Sequence, residues 1–73
     1  MQGEVKFYLV LDGFGFLEAD DGREFFVHSS QVPEVNGKRR LEKGQRVEFD
    51  LGKHKGRVVA VRVHPVADGE DGG

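Results

Sequence analysis

Phe14-Gly15-Phe16-Leu17 and Phe25-Phe26-Val27-His28 are the two runs of sequence that decide the fold. Both are short and rich in aromatic residues, and Asp20-Asp21-Gly22 between them is typical of a tight turn. Successive side chains along a β-strand point to opposite faces of the sheet. The two runs therefore predict a β-hairpin that presents several aromatic rings on one of its faces.

The length of the turn determines which residues of the hairpin face each other. A two-residue turn would pair Leu17 with Phe26 and mix the two faces. A three-residue loop at residues 20–22 instead pairs Ala19 with Arg23, and it needs a left-handed glycine at its last position. The three-residue loop is preferred because it sorts the side chains chemically. One face then holds the core-like Leu17, Phe25 and Val27, and the other holds Phe14, Phe16, Phe26 and His28.

The remaining apolar residues also occur in short alternating runs, separated by turn residues about every 8–12 positions. This spacing predicts five strands, over residues 4–11, 14–19, 24–28, 45–51 and 57–66. Five strands are too few for a two-sheet sandwich, whereas closure into a barrel removes most of the exposed strand edge. We therefore expect an all-β protein, a small five-stranded antiparallel β-barrel with the OB-fold.

Alternation within the last two strands predicts which of their side chains enter the core. The inward set should be Val47, Phe49 and Leu51 on the fourth strand, and Val59, Val61 and Val63 should share one face of the fifth. Residues 33–44 are expected to be the longest irregular stretch, with its sharpest turn at Asn36-Gly37. Residues 52–56 are expected to be a polar connection.

The composition indicates one small domain without cysteine chemistry. The 73 residues contain no Cys, which excludes a disulfide framework and a thiol nucleophile and suits a reducing cytoplasm. Residues 1–66 are expected to form the domain, and the acidic, glycine-rich residues 67–73 a disordered tail. The sequence shows no secretory signal, and no apolar stretch approaches the roughly 20 residues that span a bilayer. A cytoplasmic protein with no membrane partner is the expectation.

Catalytic and metal-binding patterns are not indicated. His28, His54 and His64 are far apart in sequence, and no cluster has the spacing of metal ligands. Asp20-Asp21 fits a hairpin turn better than a catalytic pair of carboxylates. We therefore expect that the protein is not an enzyme and uses no cofactor, metal or small-molecule substrate.

The net charge of −2 averages three unlike segments. Residues 1–36 carry two basic and seven acidic side chains, and residues 37–66 carry nine basic and three acidic ones. Residues 67–73 add three acidic side chains. The basic surplus includes Lys38-Arg39-Arg40 and residues 53–57. These basic side chains either are simply solvated or form the two sides of a phosphate-binding site beside the aromatic face.

Two interpretations of the aromatic face remain open from the residues alone. The rings could be buried under residues 33–44, because phenylalanines are usually core residues. They could instead be exposed, since the opposite face of the hairpin already fills the interior of a barrel. Exposed rings on a flat sheet favour aggregation unless they bind a partner, and nucleobases are planar partners that stack on such rings.

Three segments carry a resemblance to a known family: Lys6-Phe7-Tyr8, Gly13-Phe14-Gly15-Phe16-Leu17 and Phe25-Phe26-Val27-His28. Together with residues 41–49, which are similar to the family's entry into the fourth strand, they resemble the bacterial cold-shock domain. The resemblance covers roughly residues 3–63. It implies a five-stranded OB-type barrel that binds single-stranded RNA and DNA and acts as an RNA chaperone or a regulator of transcription or translation.

The resemblance also implies roles for individual residues. Phe7 takes the position of the family's usual tryptophan, and Lys6 would contact a phosphate or a base edge. Base stacking is implied for Phe14, Phe16, Phe26 and His28. With the basic loops, the complete predicted nucleic-acid site is Lys6, Phe7, Tyr8, Phe14, Phe16, Phe26, His28, Lys38, Arg39 and Lys55.

Besides Phe7, four positions depart from the family pattern. Asp12 stands where a lysine is usual, Leu9 replaces an asparagine, Ser29 replaces an aromatic residue or glutamine, and Lys38 aligns with a frequent aromatic. Asp12 and Ser29 favour an alternative function, a regulatory protein–protein adapter in a stress response with weakened nucleic-acid binding. In either case the charged outer surfaces of the strands favour a monomer.

Overall fold

Five β-strands close into a barrel. The computed structural model describes residues 1–34 and 36–66, and its strands are β1 (Gln2–Leu9), β2 (Phe14–Ala19), β3 (Glu24–His28), β4 (Arg46–His54) and β5 (Arg57–Pro65). A 3-10 helix, Ser29–Gln31, follows β3. The predicted all-β, five-stranded OB-type barrel is confirmed. The tail predicted at residues 67–73 lies outside the described residues.

The strands follow one another around the barrel in the order β1-β2-β3-β5-β4, and β4 closes the ring against β1. Neighbouring strands are antiparallel everywhere except between β3 and β5, which pair in parallel at Val27 and Ala60. The expectation of a wholly antiparallel barrel is wrong at this pair. An odd number of strands cannot alternate in direction around a closed ring, so one parallel pair is unavoidable.

The β2–β3 hairpin has the register predicted from a three-residue loop. Phe16 lies opposite Phe26, and Phe14 lies opposite His28. Gly22 ends the loop with a φ of 93°, a left-handed conformation that glycine adopts without the steric cost of a Cβ. The loop therefore sorts core residues and aromatic rings onto opposite faces of the hairpin.

Side chains from all five strands and from the segments around the irregular stretch fill the barrel. Val32 precedes that stretch and Leu41 lies within it; both enter the core, and the turn between them has positive φ at Asn36 and Gly37. No polar or charged residue is buried in the described part of the chain, so apolar burial is the main stabilising force. The buried core is Val5, Leu17, Ala19, Phe25, Val27, Val32, Leu41, Val47, Phe49, Ala60 and Val63.

A β-bulge at Lys6 determines which face of β1 is aromatic. Val5 pairs with Leu17 and Phe7 pairs with Phe16, so Lys6 has no partner on β2. Strict alternation would place Phe7 on the same side as the buried Val5. The extra residue turns Phe7 to the outer face instead, where 40% of it is exposed.

A second irregularity, in β5, overturns the predicted alternation of the valines. The register between β4 and β5 shifts near Arg62, which adopts a positive φ of 51°. Ala60 and Val63 are buried in the core, whereas Val59 and Val61 are only partly buried. The prediction that Val59, Val61 and Val63 share one face is wrong, because a bulge inserts one residue into a two-residue period.

The β4–β5 hairpin is longer than expected. β4 continues to His54, and the turn consists only of Lys55 and Gly56, both with positive φ, as a type I′ hairpin turn requires. The predicted connection at residues 52–56 is therefore mostly strand. Leu51, expected in the core, is 38% exposed, because β4 pairs with β1 only near its start and the hairpin leaves the barrel beyond that point.

The β1–β2 turn also lies earlier than predicted. β1 begins at Gln2 and ends at Leu9, so residues 10–13 form the turn. The backbone N–H of Gly13 donates to the carbonyl of Leu9 over 2.7 Å and closes it. Among the described residues, no helix has the length and apolar character needed to cross a membrane.

Candidate nucleic-acid interface

Six side chains on β1, β2 and β3 form an array on the outer face of the sheet. The strand registers place them opposite one another in two rows of three. We call this array the aromatic grid. Its first row is Phe7, Phe16 and Phe26, and its second row is Leu9, Phe14 and His28.

The four phenylalanine rings of the grid contact one another. The ring centroids of Phe7 and Phe16 are 5.5 Å apart, and those of Phe16 and Phe26 are 5.8 Å apart. The rings of Phe14 and Phe26 are nearly stacked, with 5.7 Å between centroids and 24° between planes. These separations are typical of favourable aromatic pairs. The rings therefore form one continuous apolar platform.

The irregular stretch at residues 33–44 does not bury this platform. Leu41 from that stretch belongs to the core, whereas no ring of the aromatic grid does. Phe14, Phe16 and Phe26 are partly buried among their neighbours, and Phe7 is exposed. The interpretation of these rings as core residues is therefore wrong, and the grid is a surface that a planar ligand can reach.

Gly15 and Tyr8 allow β1 and β2 to lie close together behind the aromatic grid. A Cβ on Gly15 would lie 2.9 Å from Cδ1 of the Tyr8 ring, nearer than non-bonded carbon atoms normally approach. Tyr8 packs against the core, and burial raises the pKa of its phenol. The structure thus places Tyr8, a predicted site residue, behind the sheet, on the side opposite Phe7.

His28 occupies an exposed corner of the grid, and Ser30 fixes its ring. The Nδ1 atom of His28 accepts a hydrogen bond from the Ser30 N–H over 3.1 Å and lies 3.0 Å from the Ser30 hydroxyl. This contact caps the 3-10 helix. The neutral imidazole therefore carries its hydrogen on Nε2, where it can donate to a ligand.

Lys6 lies next to the grid, but a carboxylate neutralises its charge. The ammonium of Lys6 donates to Glu24 on β3 over 2.7 Å. This hydrogen bond and the attraction of the Glu24 charge raise the pKa of Lys6, with a smaller contribution from Glu18. A phosphate must compete with Glu24 for the ammonium, so Lys6 is a weaker phosphate contact than its residue type implies.

A groove of about 560 Å³ separates the grid from the β4–β5 hairpin. Phe26 and His28 line it from the grid, and Lys53 and Lys55 line it from the hairpin. Its volume is typical of a small-molecule or nucleotide site. No carboxylate lines it among the residues that the structure describes. The structure thus brings the predicted Lys55 together with two predicted stacking residues.

The loop cations Lys38 and Arg39 lie outside this groove. Arg39 donates to the carbonyl of Val32 over 3.0 Å and lies 3.8 Å from the carboxylate of Glu34, so it fastens its loop to the barrel. Lys38 is exposed and forms no ion pair with any residue of the described ranges. Of these two predicted site residues, Lys38 is the one whose charge is not balanced by a nearby carboxylate.

The structure adds residues that the sequence prediction omits. Leu9 completes the aromatic grid, Glu24 holds Lys6, and Ser30 orients His28. The place of Leu9 in the grid could have been predicted from the sequence, because Leu9 lies two residues after Phe7. Pairing of Lys6 with Glu24 has no sequence signal, because it joins β1 to β3 across the intervening β2.

Two of the three histidines line the groove, and the third lies elsewhere. His28 lines it from the grid and His54 from the hairpin, whereas Nε2 of His64 is 3.7 Å from the carboxylate of Glu48. Across residues 1–34 and 36–66, no three His, Asp or Glu side chains come together in a way that could hold a metal ion.

The closed five-stranded barrel, its outer aromatic surface on β2 and β3 and its basic β4–β5 turn define an OB-type barrel, a class that binds oligonucleotides or oligosaccharides on these elements. The family follows from comparison with known proteins. The model of the 'Cold-shock' DNA-binding domain matches residues 1–66. The chain therefore belongs to the cold-shock domain family, whose members bind nucleic acids, and the resemblance of the aromatic runs to this family is confirmed.

Individual relatives agree with this assignment. The chain is 49% identical over 51 residues to the cold shock-like protein CspC of Bacillus cereus, covering 70% of this chain and 77% of that protein. It is 36% identical over 66 residues to the major cold shock protein of Streptococcus pyogenes serotype M1, covering 90% and 97%. A cold shock-like protein of Thermotoga maritima is 38% identical over 66 residues, covering 90% and 98%.

Proposed function

We propose that this protein binds single-stranded RNA and DNA by stacking bases on the aromatic grid, and that it thereby acts as an RNA chaperone or a regulator of transcription or translation. Membership of the cold-shock domain family supports nucleic-acid binding. The observation that carries the finer proposal is the continuous platform of phenylalanine rings, with centroids 5.5, 5.7 and 5.8 Å apart.

Stacking on the grid selects single strands over duplexes. A ring of the protein can cover the face of a base only when that face is not already covered by the neighbouring base pair. Bases held on the grid are also withdrawn from pairing, so bound protein increases the population of the unpaired state. This is the physical basis of the proposed RNA chaperone activity, and it needs no catalytic group or cofactor.

The phosphates of the bound strand would lie along the groove beside the β4–β5 hairpin. Lys53 and Lys55 line this groove, and Lys38 adds a further charge from its loop. Because Lys6 is held by Glu24, few cations are available for phosphate. Stacking therefore supplies most of the affinity, and electrostatic attraction a smaller share.

A titration of 5′-fluorescein-labelled oligothymidine at low and high salt tests the proposal. The label is on the oligonucleotide because the chain contains no Trp. We expect saturable binding at low salt, and log K should fall with log salt by about 0.7 for each phosphate contact. A labelled DNA duplex is the matched control and should bind much more weakly, since its bases are already stacked.

A second assay tests the chaperone activity directly. A labelled RNA hairpin should melt at a lower temperature as protein is added, because the protein binds only the open form.

Absence of oligothymidine binding at low salt would contradict the proposed function and favour the protein–protein adapter suggested by Asp12 and Ser29. Equal binding of the single strand and the duplex would contradict base stacking as its mechanism.

A further inference from the structure

His54 completes a row of basic residues on the hairpin side of the groove. It lies between Lys53 and Lys55, and all three line the groove. Its cross-strand partner is Arg57, on the other side of the two-residue turn. His54 is exposed and forms no hydrogen bond or ion pair with any residue that the structure describes. Its imidazole is therefore free to contact a ligand in the groove.

The two histidines of the groove differ in what holds their rings. Nδ1 of His28 accepts the hydrogen bond from the Ser30 N–H that caps the 3-10 helix. A proton bound at Nδ1 would displace this donor, because a protonated ring nitrogen can no longer accept a hydrogen bond. Neither ring nitrogen of His54 has such a role within the described ranges. His54 is therefore the groove histidine that can gain a proton without the loss of a structural hydrogen bond.

The charges that face His54 change when a strand binds. In the free protein its charged neighbours on the hairpin are Lys53, Lys55 and Arg57, and the only titratable residue that lines the groove from β3 is His28. The 3-10 helix contributes uncharged polar side chains. Like charges disfavour a protonated imidazole, whereas a phosphate among the same side chains favours it.

The carboxylates of the hairpin do not neutralise this row of basic residues. The two acidic residues of β4 are Glu48 and Asp50, and neither lines the groove. Asp50 accepts a hydrogen bond from Nε of Arg62 over 2.9 Å, and Glu48 lies 3.7 Å from His64. The sequence of β5 contains no acidic residue. A phosphate of the bound strand would therefore be the anion that His54 meets in the groove.

We propose that His54 binds a phosphate of the bound strand in its protonated form, so that strand binding takes up a proton and affinity for nucleic acid rises as pH falls. This inference rests on the proposed binding of single strands beside the aromatic grid. The proton comes from solvent, and the imidazolium donates a hydrogen bond to a phosphate oxygen. An imidazole ordinarily gains its proton at about pH 6.5, and an adjacent anion moves this value upward by about one pH unit. By linkage, affinity should then increase about five- to ten-fold between about pH 8 and pH 5.5.

A titration of oligothymidine at several pH values and low salt tests this assignment. The oligonucleotide carries a 5′-tetramethylrhodamine label, whose emission does not depend on pH in this range, and fluorescence anisotropy reports binding. Neither thymine nor a phosphodiester changes its charge between about pH 5.5 and 8, so a pH dependence must come from the protein. The unmodified protein should bind about five- to ten-fold more tightly at the lower pH. His54→Gln cannot gain a proton, so it should lose this dependence and bind with nearly unchanged affinity at about pH 8.

Calorimetry counts the proton directly. Binding of oligothymidine near pH 7, measured in two buffers of different ionisation enthalpy, should show uptake of about half a proton per strand by the unmodified protein. His54→Gln should show almost none.

His64→Gln is the matched control, because His64 is an exposed histidine outside the groove. It should keep the pH dependence and the proton uptake of the unmodified protein. Retention of both in His54→Gln would overturn the proposal, and so would an affinity of the unmodified protein that does not change with pH. An equal loss of pH dependence in His64→Gln would also overturn it, because the effect would then not be local to the groove. Absence of binding at every pH would overturn the proposed function, and this inference with it.

Discussion

The aromatic grid and the β4–β5 hairpin face each other across one groove, but they differ in how their charges are balanced. Beside the grid, the ammonium of Lys6 is held at 2.7 Å by a carboxylate. On the hairpin, Lys53, Lys55 and Arg57 form no ion pair with any other residue in the described ranges. In the proposed function, stacking and phosphate attraction therefore belong to different strands, so each can be altered without the other.

This division also explains the acidic net charge. The acidic surplus of residues 1–36 includes Glu24, which holds Lys6 beside the grid, and the basic surplus of residues 37–66 includes the hairpin. A net charge of −2 is thus compatible with nucleic-acid binding. The electrostatic potential in the groove depends on the charges near it and not on the net charge of the whole chain.

The largest effect should come from the centre of the grid. Phe16 contacts both Phe7 and Phe26, so Phe16→Ala removes one stacking ring and separates the other two. We expect a loss of about 10- to 100-fold in oligothymidine affinity, with an unchanged dependence on salt. Fluorescence titration at several salt concentrations measures both quantities.

Leu51→Ala removes an exposed apolar side chain outside the grid and should leave affinity unchanged. If Phe16→Ala bound normally, or lost affinity only at low salt, the distinction between a stacking surface and a charged surface would fail.

The next effect should come from the hairpin. Lys53→Gln combined with Lys55→Asn removes two cations from the groove, and Asn tolerates the positive φ of 54° at residue 55. We expect about a ten-fold loss of affinity at low salt and little loss at high salt, with a salt slope smaller by about 1.4.

A double substitution of two cations elsewhere, Arg40→Gln with Lys43→Gln, controls for net charge, because neither side chain lines the groove. A loss of equal size in this control would show that long-range attraction, and not the groove, provides the phosphate contacts.

A small gain in affinity should follow from freeing Lys6. Glu24→Gln retains a hydrogen-bonding side chain but removes the charge that raises the Lys6 pKa, so the ammonium becomes available to phosphate. We expect about a two- to three-fold gain at low salt and a salt slope larger by about 0.7.

Glu48→Gln makes the same change in net charge at a carboxylate that lies beside His64 instead of Lys6. An equal gain in affinity for both variants would show that only the net charge matters. The pairing of Lys6 with Glu24 would then have no special role.

The smallest effect concerns stability, at an ion pair away from the groove. The guanidinium of Arg46 donates to both carboxylate oxygens of Asp20, at 2.8 and 3.0 Å, and lowers the Asp20 pKa below its ordinary value of 3.8. A lowered folded-state pKa contributes stability above the ordinary value, and this contribution is lost as pH falls through the folded-state value.

Asp20→Asn should therefore lower Tm slightly at neutral pH, and its difference from the unmodified protein should shrink below about pH 4. Thermal unfolding at both pH values measures this difference, and oligothymidine affinity should not change. A difference in Tm that was equal at both pH values would contradict the assigned role of the Asp20 charge.

Local sequence determined the register of the aromatic hairpin. The three-residue loop ending in Gly22 can form only one register with these strands, and that register alone separates Phe14, Phe16 and Phe26 from the core residues. Its energetics depend on residues close in sequence, so turn chemistry and the two-residue period were sufficient. The resemblance of the same residues to the cold-shock domain was sufficient to predict the family.

Only the tertiary structure decided where the alternation breaks and which charges meet. The bulges at Lys6 and Arg62 move Phe7 to the outer face and Val63 into the core, because closure of a small barrel bends its strands and shifts their registers. The pairing of Lys6 with Glu24 likewise depends on strands that are not neighbours. Such contacts are long-range consequences of closure, and the two-residue period of a single strand contains no information about them.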